Sequence, residues 1–480
     1  MLEGVQYVCE VLDWVKVNDM DDTLRSLVDY AISVGQKQKV DLILGLGSQS
    51  MNNQIRFSQN KIDINKQWQS DLIELLVVVE GNQVSIGSFS PRDEVYVKER
   101  VHAQIKFAQN MTPSPFFMGV ESEKHEIDHS SYDNHFDSNI DEYREKAPQV
   151  INTCIDEAIN TGAKRVAGSF LFGKNSYYLS SSAGPTGSFK NTFYNLTVRA
   201  FQEELDASGQ GLACGRIPTS SEKDLVQAAA KAGQFSKSHK NAQQVKAGLY
   251  DIIMNPAVAA NILGKIPQDA NPLAILIGMS SLGDKMGEKL APDFVNIEDN
   301  GMQPGGLATT PIDIEGTSRY NTPIIHEGVL KSYIHNTTTG NMFQGESTGN
   351  GAFVDFGIGS KIMAPAPTNT VFNNGDHSFD ELLDTSRKTI YVTCNWYTRF
   401  TSRISTEYST IPRDAAFLVE KGELSTPLKN FRISDKILNH FANIDAMGND
   451  RVQVKWWEVS VPTWIPTIRV KDCRITTATQ

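Results

Sequence analysis

Apolar and polar positions follow two different periods along this chain, and the period switches several times. Between residues 22 and 34 the apolar positions Leu24, Leu27, Val28, Ala31 and Ile32 recur at helical spacing, with Gly35 placed to stop the helix. Residues 40–46, 54–57, 72–79 and 83–89 read as strands, the last two joined by the short loop Glu80-Gly81-Asn82. That pattern predicts an antiparallel meander following a helix. Ser90 as cap and Pro91 at the first helical position then predict a second helix ending near Asn110.

Residues 112–141 are rich in Pro, Ser, Asp, Asn and His, which predicts a long exposed excursion. The stripe Ala147, Val150, Ile151, Cys154, Ile155 and Ala158 restores the helical period, and residues 166–172, 177–182 and 192–200 return to strands. Thr219 to Glu222 reads as a capping box before a helix over 225–232, and the polar stretch 237–244 has the character of a linker. Two domains are therefore expected, at 1–240 and 245–480. The second opens with a strand over 249–254, then Asn255 as cap, Pro256 at the first helical position and a short helix to Gly264. A further short helix is expected over 282–290, and strands dominate beyond it. The predicted class is α+β: a helix plus antiparallel meander, then a large curved antiparallel sheet with short helices.

Composition narrows the functional field. With 45 basic and 56 acidic residues in 480, the net charge of −11 would repel phosphate backbones and anionic lipid, so neither nucleic acid nor membrane is expected as a partner. The N-terminus lacks a basic region ahead of an apolar stretch, and no apolar run approaches the roughly 18 residues needed to span a bilayer. A soluble, cytoplasmic protein is expected. Cys9, Cys154, Cys214, Cys394 and Cys473 are scattered and contain no CxxC pair, which predicts buried hydrophobes in a reducing compartment.

The sharpest chemical motif is His125-Glu126-Ile127-Asp128-His129 with His135 further on, the spacing of a zinc hydrolase in which Glu126 would activate a metal-bound water. Its context opposes that reading. Tyr132 stands where such sites need glycine, and polar flanks give no apolar helix face to hold the ligands rigid. His326-Glu327-Gly328 reads as a hairpin turn rather than a metal pair, with a strand following over 329–334. Glu298, Asp299, Asp313 and Glu315 have the residue types of a catalytic dyad or hard-cation site, but the Gly, Pro and Thr between them predict solvated loop acids.

The ordered series Gly305-GLATTPIDIEGTSRYNTPIIHEGVLKSYIHNTTTG-Asn341, Ile390-YVTCNWYTRFTS-Arg403, Ser409-TIPRDAAFLVEKGEL and Arg432-ISDKILNHFANIDAMGND resembles the TldD/PmbA family, metallopeptidase-like proteins once labelled modulators of DNA gyrase. The resemblance implies a proteolytic assembly of two related subunits that degrades unfolded peptides, the TldD-type chain binding zinc through an HExxxH helix and a later cysteine. Here the matching junction reads Asn255-Pro-Ala-Val-Ala-Ala260, so Asn255, Pro256 and Ala260 replace both histidines and the glutamate. Cys473 does not stand in the family's glycine-rich context. The resemblance thus implies the TldE/PmbA type, with no cofactor in this chain, zinc in the partner, and a TldD-like paralogue or a second copy as the partner. The alternatives are a self-sufficient zinc peptidase using His125, Glu126, His129 and His135, and a peptide-binding scaffold with no proteolytic partner.

Overall fold

The computed structural model describes residues 22–122, 134–204, 206–355 and 361–477. The first half contains α1 (Asp22–Lys37), β1 (Leu42–Ser58), β2 (Lys61–Val79), β3 (Gln83–Phe89), α2 (Glu94–Ala108), α3 (Ile140–Asn160), β4 (Arg165–Ser181), β5 (Thr186–Phe201), β6 (Ser208–Gly215) and α4 (Glu222–Ser238). Its strands make one antiparallel sheet in the order β3-β2-β1-β4-β5-β6. The two-residue period of a strand decides what each face does. Ile43, Ile73, Leu75 and Val77 pack under α1 and α2, while Phe170, Phe172, Leu196 and Val198 pack under α3 and α4. The alternate residues Leu42, Leu44, Leu76, Val78 and Leu179 face the other way and join Ile312 and Met363 of the second half in a shared core.

Several local expectations change. The segments at 40–46 and 54–57 are one strand, because β1 is paired along both edges and its polar middle is satisfied there, as where Gln49 Nε2 donates to Asp71 at 3.1 Å. Likewise β4 runs unbroken through Gly173-Lys174-Asn175. Helix α1 continues past Gly35, whose missing side chain admits Ile43 instead of ending the helix: a Cβ would meet the Ile43 side chain at 2.7 Å. Helix α2 is capped by Asp93, which accepts from Tyr96 N at 2.8 Å, not by Ser90. Thr219 gives its N–H and hydroxyl to Asp137 rather than capping α4. Strand β3 pairs only with Ile73–Val79, so the outer edge of β2 before Ile73 carries no strand among the described residues.

The second half contains β7 (Gln243–Gln244), β8 (Gly248–Met254), α5 (Pro256–Ile262), α6 (Ile266–Asp269), α7 (Pro272–Leu276), β9 (Ile297–Asn300), β10 (Asn321–His326), β11 (Val329–Leu330), α8 (Thr337–Met342), β12 (Gly351–Asp355), β13 (Lys361–Pro365) and β14 (Thr370–Phe372). After these come α9 (Phe379–Leu383), β15 (Thr389–Val392), β16 (Asn395–Ser402), β17 (Glu407–Pro412), β18 (Ala416–Glu420), β19 (Glu423–Lys429), β20 (Phe431–Lys436), α10 (Ile437–Ala442), β21 (Ile444–Met447), β22 (Val452–Trp456), β23 (Val459–Ile465) and β24 (Ile468–Thr477). One sheet runs β11-β10-β9-β14-β23-β22, a larger curled one runs β16-β17-β20-β24-β8-β15-β18-β19-β7, and β12 pairs β13. The fold is α+β in two parts. It is not wholly antiparallel: β8 pairs β15, and β14 pairs β23, in parallel, which the long intervening connections permit. The short helix expected at 282–290 is not formed. Its place is taken by α7, where Asn271 caps and Pro272 fills the first turn.

Polar links reinforce the shared core between the halves. Arg199 on β5 donates to Asp414 from Nη2 at 2.6 Å and Nε at 3.1 Å, and Asn195 Nδ2 donates to Lys455 O at 2.5 Å. No helix among the described residues is long and apolar enough to cross a membrane.

Candidate functional site

The junction of β8 and α5 sits in the centre of the larger sheet, between the partners β24 and β15. Apolar β8 residues Ile252, Ile253 and Met254 bury the strand, and Asn255 turns the chain into the helix. Its Oδ1 accepts from Ala257 N at 3.0 Å as the cap, and its Nδ2 donates to the Tyr391 hydroxyl at 3.1 Å. Pro256 fills the first helical position, where a missing N–H costs nothing. Ala260 is buried, beside a space of about 20 Å³ that Lys265 and Glu458 also line. These residues do not fit a zinc ion. Asn255 uses both ends of its amide for the fold, and Pro256 and Ala260 bring no donor atom, which leaves Glu458, beside the Lys265 ammonium, as the one carboxylate among the described residues that line the space.

The other motifs resolve as follows. His125, Glu126 and His129 lie outside the described residues, while His135 is buried. Among the described residues no three His, Cys, Asp or Glu side chains are grouped to hold a metal ion. His326 and Val329 close a hairpin whose two turn residues, Glu327 and Gly328, have φ of 49° and 73°. That is the conformation of a tight two-residue turn, so the hairpin reading is correct, though β11 is only two residues long. Cys154, Cys394 and Cys473 are buried as predicted, and Cys214 is half-buried. Cys473 Sγ approaches His440 Nδ1 at 3.5 Å, and His440 Nε2 meets the Tyr408 hydroxyl at 2.7 Å, all within the core.

Three of the four acids contradict the expectation of solvated loops, while Glu298 is half-buried on β9 and accepts from Asn300 Nδ2 at 3.1 Å and Asn321 Nδ2 at 2.8 Å. Asp299, Asp313 and Glu315 are buried, and each holds loop backbone in place. Asp313 Oδ1 accepts from the backbone N–H groups of Glu315 (2.9 Å) and Thr317 (3.0 Å), and its Oδ2 accepts from Gly351 N at 2.7 Å. Glu315 Oε2 accepts from Thr337 N at 2.8 Å and the Thr337 hydroxyl at 2.7 Å, while Oε1 accepts from Asn336 Nδ2 at 2.9 Å. Asp299 takes Thr368 N at 2.7 Å and Asn350 Nδ2 at 2.6 Å. Burial, then the adjacent Asp313 carboxylate, pushes Glu315 up to about 8, and burial raises Asp313 and Asp299 as well. The sequence signal for Asp313 was present: an Asp followed by backbone donors two and four residues on is a turn-forming carboxylate, which needs shelter from water to be effective.

Residues 247–477 match the family model described as the PmbA/TldA metallopeptidase C-terminal domain. The chain is 28% identical over 205 residues to a metalloprotease of Methanocaldococcus jannaschii, which covers 42% of this chain and 44% of that protein. It is 28% identical over 169 residues to the metalloprotease PmbA of Escherichia coli, covering 35% of this chain and 34% of that one. Such matches span about half the length of the curated relatives, or less. In fold it is similar to the crystal structure of TldE from Thermococcus kodakarensis, with a TM-score of 0.80 at 16% identity over 94% of this chain and 100% of that one. Motif series and family model agree that residues 247–477 form a C-terminal domain of the TldD/PmbA family, and the chain as a whole shares the fold of the Thermococcus kodakarensis protein.

Proposed function

We propose that this chain is a metal-free, TldE/PmbA-like subunit of a cytoplasmic TldD/TldE-type zinc metalloprotease that degrades unfolded peptides, supplying cavity wall and peptide-binding surface while a TldD-like partner supplies the zinc. The observation that carries this reading is the use of Asn255, Pro256 and Ala260 for capping, helix initiation and packing at the position where the family's HExxxH helix would begin. A subunit that has given up water activation can keep its fold and its contacts, since these depend on different residues. Exposed Leu276, Ile277, Met279, Met286 and Phe294, close together in sequence, support an apolar surface suited to a partner.

The test is to mix the chain with a paralogue that carries HExxxH and follow cleavage of an unfolded peptide together with the mass of the complex. A joint complex with altered cleavage is expected. Unchanged cleavage and unchanged mass would sink the proposal. One equivalent of zinc bound by this chain alone, and lost in His129→Ala, would instead establish the self-sufficient peptidase.

A further inference from the structure

A cavity of about 830 Å³ opens between the first sheet and the second half, lined from β4 and β5 on one side and from the 307–319 loop and β22 on the other. That volume is within the range of small-molecule sites. Its wall is aromatic: the Tyr177 and Phe189 rings stack with centroids 4.7 Å apart, and Trp456 and Trp457 come from the far side.

The charge on this wall is unbalanced. Arg216, only 4% exposed, donates Nε to Gly306 O at 2.9 Å, Nη1 to Thr192 O at 3.2 Å and Nη2 to Thr309 O at 3.2 Å, all of them neutral carbonyls. Lys455 donates Nζ to Ser460 O. Among the described residues neither cation has a carboxylate within ion-pair distance. Asp313 also borders the cavity, but its oxygens are taken by three backbone N–H groups, and the cation whose charge it feels is Arg319. Burial lowers both Arg216, to about 10, and Lys455, and the groups of opposite sign that they feel are a phenol and a thiol, neutral at pH 7. Buried cations are normally paired.

We infer that this cavity binds a carboxylate carried on an aromatic or branched apolar body, the carboxylate set between Arg216 and Lys455 and the body against Tyr177 and Phe189. The Tyr177 phenol, on the same wall, can donate a further hydrogen bond. A guanidinium suits this role because its planar fork keeps N–H groups to spare after three are used. Two sources share the chemistry, a free aromatic acid and the C-terminal residue of a peptide. Only the second rests on the peptide-handling function proposed above.

Calorimetric titration of the full chain with N-acetylphenylalanine and with N-acetylphenylalanine amide tests the site. The acid should bind, and the amide about tenfold more weakly. Phe189→Ala, which removes the apolar wall, and Ala308→Trp, which fills the cavity, should each abolish acid binding in a chain whose circular dichroism is unchanged. Lys455→Met should weaken the acid while leaving the amide as it was. A dipeptide ending in phenylalanine that binds more tightly than 3-phenylpropionate would assign the site to peptide termini, and equal binding would assign it to free acids. Absence of binding, equal affinity for acid and amide, or binding that survives Ala308→Trp overturns the inference. Acid binding by a chain that leaves a paralogue's cleavage unchanged would keep this site and sink the subunit proposal.

Discussion

Asp313 and Glu315, two positions apart in the chain, press their carboxyl groups against the same residue: a Cβ on Gly351 would meet Asp313 Oδ2 and Glu315 Cγ, each at 2.8 Å. Both acids are raised by burial, Glu315 to about 8, while a glutamate in the unfolded chain titrates near about 4.3. The folded state therefore retains a proton that the unfolded state has released. Stability from this source is fully present below about pH 4.3 and is lost as pH rises toward about 8. Urea denaturation from pH 5 to pH 8 should show the native chain weakening, and the slope should be shallower in Glu315→Gln. An equal slope in both would show that Glu315 does not titrate in that window.

Gly351→Ala should be costly for a steric reason. The added methyl would enter the space between two buried carboxyls whose hydrogen bonds fix the 313–317 and 336–339 loops, and overpacking of this kind costs about 1–3 kcal/mol. Thermal melting of the variant checks this, and Gly345→Ala, in open space, is the control that should melt near the parent temperature.

Arg199 and Asp414 join the two halves. The Asp414 side chain is fully buried and that of Arg199 is 29% exposed, so removing the acid strands a largely sheltered guanidinium that also lies over Trp396. Asp414→Ala should cost about 2–4 kcal/mol. Arg199→Met keeps an apolar stem over Trp396 but leaves the fully buried Asp414 carboxylate without its cation, and should cost at least as much. Chemical denaturation of both variants and of the double variant measures the coupling.

At the β8–α5 junction, replacing the cap by Asn255→Ala should destabilise by about 1 kcal/mol or more, because the Tyr391 hydroxyl loses its partner along with the helix cap. Ala260→His should also destabilise, by about 1–3 kcal/mol, without creating a metal site. Melting temperatures with added zinc and with a chelator should coincide for the parent and for Ala260→His.

What could be read from the sequence depended on whether a signal was local. The β8 strand, the Asn255 cap, Pro256 and the Glu327-Gly328 turn were legible because their causes lie within a few residues. The joined strands β1 and β4 were not, since the partners that satisfy their polar middles are distant in the chain. Asp299, Asp313 and Glu315 differ from their sequence reading for the same reason: the donors that exclude water, the N–H groups of Thr368, Gly351 and Thr337, are distant in the chain and are not the Gly, Pro and Thr that stand between the acids. Arg216 gave no signal at all, because its three acceptors are backbone carbonyls that any sequence supplies.

The uneven lengths of β2 and β3 bear on how concentrated this protein can become. An uncovered strand edge is a template on which another chain can extend the sheet. Along that stretch of β2 stand Lys61, Asp63, Lys66 and Asp71, with Lys66 over the Trp68 ring. Charges of both signs placed there make an incoming strand acceptable only if its own charges match, so the same rim that invites self-association also selects against it.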